Sequence, residues 1–357
     1  MLDTEVLLAG PRGRRLCWTL LWLGVTDDAR RPDSWNRVWE AVTSGDVSGY
    51  LDELSACVTQ ADPAALAAGS ATVLKALGWI VRGAQYWQEP DAEDQALAPE
   101  SVRAALRPVA AAIAAAPESG WWTSPMDRGR QRYAQFLGDH SFDEPHLSGA
   151  AQRVAAWRTD TVRREESLHG EPPEPLGAWS GQWWSVPALS GLPVTTRARP
   201  GLGAARLALT EDAMSWKSAR CWPLAPQGGE RVYEVDGPIA WATLVTRYPL
   251  DLSWSRRHDW WRATGWTGQW LIPDYQAVAA DYDAVHVSVL GYLTTAGVAV
   301  PAGPDDGART LLAGWDPDAA WWLTDSLESA GPLEDWATDD NTGNGAGWHP
   351  AGQAGLE

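Results

Sequence analysis

Twenty-five tryptophans stand against only two phenylalanines in this chain. That imbalance constrains the fold more than any motif, because each buried indole fills a large apolar volume and carries one N–H that needs a partner. Most must pack as core in place of Phe. Pairs beside turns differ: adjacent residues of an extended segment face opposite sides, so one ring can pack while its neighbour lines a cleft. Two clusters share a shape, Gly120-Trp121-Trp122-Thr123-Ser124-Pro125 and Gln182-Trp183-Trp184-Ser185-Val186-Pro187, each placing a hydroxyl and a proline after paired indoles. A third concentration, Trp254, Trp260, Trp261, Trp266 and Trp270, is interleaved with Arg256, Arg257, His258, Asp259 and Arg262. It reads as an irregular loop, pinned by its own indoles or covering a ligand; aromatic faces beside guanidiniums suit planar or anionic molecules.

At 357 residues the chain exceeds one ordinary domain. Residues 1–168 read as a mainly helical unit. Trp35 and Trp39 share a helical face behind an Asp33 or Ser34 cap; Val73, Leu74, Leu77, Ile80 and Val81 repeat the pattern, as does the stretch from Gly149 to Ser167. A helix from Pro99 to Ala116 carries Pro108, so a kink or break is expected at Arg107. The proline-rich stretch 169–176, HGEPPEPL, is the expected linker.

Beyond it, residues 177–330 mix periods. RVYEVD, from Arg231 to Asp236, alternates as a strand, and Trp241, Leu244, Val245 and Tyr248 fit one helical face. Asp274 to Ala280 reads as a short helix, and Ala284 to Leu290 as a strand with His286 and Ser288 opposite its valines. Thr310 to Trp315 and Ala320 to Thr324 flank Asp316-Pro317-Asp318 and read as a closing hairpin. Without strict strand–helix repetition, the expected class is α+β, with a small split or twisted sheet in the second unit. Residues 331–357, acidic and Gly-rich, are expected to be disordered.

A net charge of −18 repels phosphate backbones and anionic bilayers, which excludes duplex nucleic acid as a general partner. The basic cluster Arg12, Arg14, Arg15 is long enough for one phosphate and no more. No apolar run reaches the roughly 20 residues of a membrane span, and the Leu16 to Gly24 segment lacks a signal-peptide cleavage site. Three widely spaced cysteines give neither a disulfide framework nor a zinc site, which fits a reducing cytoplasm. The one mixed metal-type cluster, His140 and His146 near Asp139, Asp143 and Glu144, lacks helical ligand spacing, so no metal is expected.

The candidate catalytic residues are Ser185, Arg197, His286 and Asp316. Arg197 follows Thr195 and Thr196 at a polar strand end able to hold a phosphate or carboxylate, and His286 has Asp281 and Asp283 just upstream. The candidate ligand-binding residues are Trp183, Trp184, Thr196, Trp216, Arg257, His258 and Trp261.

The succession Trp183-Trp184-Ser185, Ser215-Trp216, RVYEVD, IPDYQAVAADYDAVHVS and GWDPDAAWWL resembles a tryptophan-rich bacterial protein family. The last ~150 residues are distantly similar to ADP-ribosyltransferase-type modules. That resemblance implies a split sheet gripping NAD, with Ser185 and Arg197 in the early, dinucleotide-positioning roles. The late Glu of such modules has no counterpart; Asp316 and Asp318 occupy the late turn. Two functions follow as expectations: a Trp-lined cleft for a small planar or nucleotide-like ligand, NAD among them, or a non-catalytic module docking a protein partner through exposed indoles.

Overall fold

The computed structural model describes residues 2–26, 33–136, 144–170, 180–200, 202–303, 307–339 and 347–352, with side chains from 25 and 26 excepted. The first part is helical. It comprises α1 (Thr4–Ala9), α2 (Pro11–Thr26), α3 (Asp33–Ser44), α4 (Leu51–Gln60), α5 (Pro63–Ala68), α6 (Ser70–Arg82), α7 (Ala92–Ala96) and α8 (Glu100–Ala115). The caps are written in the sequence: Asp3, Asp62 and Asp91 each accept backbone N–H bonds at the start of α1, α5 and α7. Helix α8 runs unbroken through Pro108, against the expected break at Arg107. Pro108 is exposed, so water can satisfy the carbonyl it orphans, while Val102, Leu106, Val109 and Ile113 bury the other face.

Strand β1 (Gln131–Phe136) and helix α9 (Ala150–Ser167) follow. The remainder alternates irregularly: β2 (Val194–Arg199), β3 (Gly203–Ala204), β4 (Ser218–Pro226), β5 (Val232–Val235), α10 (Pro238–Arg247), β6 (Pro249–Asp251), α11 (Ser253–Thr264) and β7 (Gln269–Pro273). Then come α12 (Tyr275–Asp281), β8 (Ala284–Val287), α13 (Val289–Thr295), β9 (Val300–Pro301), β10 (Ala308–Thr310), β11 (Ala319–Trp322), β12 (Leu327–Ser329), β13 (Glu334–Thr338) and β14 (Trp348–Pro350). The fold is α+β.

A ten-stranded sheet has the path β14-β13-β4-β1-β2-β11-β8-β5, with β12 on β4 and β3 on β2. Among the described residues, only its β5–β8 pair is parallel. A second sheet has the order β6-β7-β10-β9. Strand β1, from the helical first part, sits mid-sheet between β2 and β4, so the sheet does not respect a division at 168. One hydrophobic core runs from Leu7 and Trp18 in the helices to Trp260 and Trp315. Positions 171–176 of the expected linker lie outside the described residues.

Four expectations are corrected. The 254–270 segment is mostly helix α11, not an irregular loop. The Asp316-Pro317-Asp318 turn closes no hairpin: it carries the chain from β10 in the small sheet to β11 in the large one. Of the expected disordered tail, the described residues form β13 and β14, whose Trp336 and Trp348 are buried and whose backbone extends the sheet from β4, while 340–346 and 353–357 lie outside the described residues. Strand β8 also ends at Val287, after which Ser288 caps α13 by accepting the Gly291 N–H.

Candidate functional site

Asp316 and Asp318 leave their turn in different directions and organise two buried polar groups. Asp318, at φ 63°, accepts from both the backbone N–H and the Nε of Arg197, at 2.8 and 2.6 Å. The Arg197 guanidinium also donates to the Pro125 carbonyl and lies 4.8 Å from the Trp121 ring. The β5–β8 register sets Glu234 beside His286. The ring's Nδ1 is 2.5 Å from Glu234 Oε2 and its Nε2 is 3.4 Å from Asp318 Oδ1. Burial of the ring disfavours its charge, but hydrogen bonds to Asp318 and Glu234 outweigh it and push the imidazole up to about 9. Arg197 and His286 are therefore structural cations in a matched network.

Asp316 belongs to the other group. Its carboxylate accepts from Arg206 Nε at 2.8 Å and from the Glu211 backbone N–H at 2.9 Å. Glu211 in turn accepts from the Gly314 N–H at 2.8 Å. Gly314 has φ 79°, and a Cβ there would lie 2.8 Å from the Trp184 Cβ, so glycine alone lets the indole close over the turn. The result is a cavity of about 200 Å³ walled by Trp183, Trp184 and Trp321 and carrying Glu211, Asp212, Asp316 and Arg206.

Three carboxyl groups line it against one guanidinium, which pairs with Asp316 alone. Burial, then the charges of Asp316 and Asp212, hold Glu211 well above the usual carboxylate range. Burial and Asp316 push Asp212 up to about 6. Burial also raises Asp316, against the pull of Arg206. Asp212 therefore titrates close to physiological pH, beside two further carboxyls of raised proton affinity. Behind Glu211 lies Tyr292, whose hydroxyl is 3.2 Å from that of Tyr86.

Of the sequence-derived candidates, Asp316, Trp183 and Trp184 meet in this cavity. Thr196 supports it from below, its Oγ1 accepting the Arg206 N–H at 3.0 Å. Ser185 does not reach it as a nucleophile: its fully buried hydroxyl exchanges hydrogen bonds with the Ala313 backbone, at 3.1 and 3.0 Å. Trp216 stacks on Phe136 at 4.5 Å, away from the cavity. Arg257 lies over Trp254 at 4.6 Å; it, His258 and Trp261 sit half-buried on α11 and do not line the cavity. Glu211, Asp212 and Arg206 escaped the sequence reading because a Thr-Glu-Asp run after an apolar stretch carries no spacing signal.

A groove of about 510 Å³ adjoins the cavity, sharing Trp184 and Ala188 with it, and presents Arg163, Arg164 and the buried Arg256. Asp139, His140 and Asp143 lie outside the described residues, within which no group of three or more His, Cys, Asp or Glu side chains forms a metal site. No described helix is long and apolar enough to cross a membrane. No family model, curated protein or solved structure matches the chain.

Proposed function

We propose that the protein binds a small ligand whose planar, donor-rich or cationic end enters the Trp183/Trp184/Trp321 cavity. The supporting observation is the excess of carboxyl groups over guanidiniums inside an aromatic wall. Indole faces attract flat cations, and buried carboxyls select partners that donate hydrogen bonds. The nicotinamide riboside end of NAD has this chemistry, and the adjoining groove with Arg163, Arg164 and Arg256 suits the pyrophosphate.

In the catalytic form of the reading, an ADP-ribosyltransferase-like transfer releasing nicotinamide, Asp316 with Glu211 and Asp212 takes the late acidic role, while Ser185 and Arg197 position structure rather than substrate. The alternative of docking through exposed indoles has less support: among the described residues, Trp79 alone of the tryptophans is more than a third exposed, at 43%. Three buried free cysteines favour a reducing, cytoplasmic setting.

Calorimetric titration with nicotinamide riboside, NAD and glucose tests the reading. Nicotinamide riboside and NAD bind, Trp184→Leu weakens both at least tenfold, and Asp212→Asn removes the gain in affinity between pH 5 and pH 7.5. Arg163→Gln weakens NAD only. Binding of glucose alone moves the ligand class to neutral polyols, and binding of none of the three, or binding indifferent to Trp184 and Asp212, refutes the site.

A further inference from the structure

A second cavity, of about 500 Å³, lies between the first turn of α2, the segment around Tyr86 and α7, the end of α11 and β10. It shares no lining residue with the tryptophan-walled one. Helix α2 opens with Arg12, Arg14 and Arg15 and has no acidic residue in its first turn. That inverts the usual preference, since a helix N-terminus carries partial positive charge and favours anions.

Part of this charge is matched. Arg12 pairs with Asp94, and Arg15 with Asp91, Glu93 and Asp94, all at the start of α7. Arg14 is different. Its Nη1 donates to the Leu8 and Ala9 carbonyls at 3.1 and 2.8 Å, its buried Nε has no hydrogen-bond partner, and it makes no ion pair among the described residues. Burial and then the neighbouring Arg103 push its pKa below the usual arginine value. Across the cavity, Arg309 stacks at 4.2 Å on Trp266 and donates to the Ala299 carbonyl at 3.4 Å; its buried Nε also lacks a partner, and among the described residues it too has no carboxylate at ion-pair distance. Arg12, only 5% exposed, adds a third Nε without a partner.

Arg14 and Arg309 thus line one cavity with no carboxylate partner among the described residues, and an oxyanion is the group that accepts hydrogen bonds from two guanidiniums at once. We propose that this cavity binds a small oxyanion-bearing molecule, a phosphate or carboxylate, between Arg14, Arg309 and Arg12. Of the three lining acids, Asp91 and Asp94 are already engaged by Arg15 and Arg12, which leaves the exposed Glu89 facing two arginines without a carboxylate partner among the described residues.

The full chain is titrated calorimetrically with inorganic phosphate, adenosine monophosphate and citrate. At least one binds saturably, and Arg14→Gln and Arg309→Gln each weaken it tenfold or more. Arg37→Gln, on the exposed face of α3 and in the lining of neither cavity, leaves it unchanged. A phosphate preference over citrate marks a phosphoryl ligand, and the reverse a carboxylate. Modification by phenylglyoxal, mapped by peptide mass, supplies a reading on the unaltered protein: the bound probe slows reaction at Arg14 and Arg309. Absence of saturable binding by all three probes, affinity retained in both variants, or no protection at either arginine overturns the proposal.

Discussion

Asp316 and Asp318 stand two residues apart in one turn, both nearly buried, yet they belong to opposite kinds of environment. Asp318 is ringed by Arg197 and His286, with Glu234 beyond, so its negative charge is met on each side. Asp316 has Arg206, but it also has Glu211 and Asp212 as neighbours. The first group is closed and built for stability; the second keeps unfavourable charge beside a cavity, which is where folded proteins place chemistry or binding. Proline between the two aspartates turns successive carboxylates away from each other, so one short turn serves both purposes.

Breaking the closed group has the largest effect. Asp318→Asn keeps a residue that tolerates φ 63° but strands the buried Arg197 charge and leaves His286 only Glu234, and chemical denaturation shows a loss of about 3–5 kcal/mol. A loss under about 1 kcal/mol erases the contrast between the two groups. Next is pH. His286 has a folded pKa of about 9 against 6.5, so its stabilisation is full below about pH 6.5 and is lost as pH rises through 9. Denaturation midpoints across that window fall by an equivalent of about 3 kcal/mol, and His286→Gln flattens the decline. Gly314→Ala costs about 2 kcal/mol through left-handed strain and the clash with Trp184, and lowers ligand affinity with it. Smallest, and opposite in sign, is Glu211→Gln. A carboxyl whose folded pKa lies above its unfolded value costs stability above that unfolded value, so the substitution stabilises at pH 8 and has no such effect at pH 4. Destabilisation at pH 8 would place Glu211 with the closed group.

The sequence revealed elements wherever one face is apolar: α6, α10 and β5 appear where periodicity places them. Helix α11 was hidden because its buried face includes Arg256 and Asp259 beside Trp260, so charge and apolarity do not segregate around it. Strand β1 was hidden for another reason. QRYAQF has little alternation, and its partners lie some 60 to 90 residues away, beyond what local pattern encodes. In the cavity, Trp183, Trp184 and Asp316 were legible as types of residue, whereas Glu211 and Arg206 join them only through the fold. Ser185 and Arg197 were readable as reactive groups and proved to be fasteners, since the partners that quench them, Ala313 and Asp318, are more than a hundred residues distant.

The Tyr86–Tyr292 hydroxyl pair has a consequence for how the two cavities report on each other. Tyr86 borders the arginine-lined cavity and Tyr292 stands beside Glu211 at the other. An anion bound near Tyr86, as proposed above, would strengthen the negative field felt through that pair and raise the proton affinity of Glu211 further. Linkage then runs both ways: whatever one ligand does to the proton, the proton does to that ligand, and the second ligand inherits the difference. Proton uptake as an anion fills the cavity beside Tyr86, read as a buffer-dependent heat, would thus measure the coupling between the two.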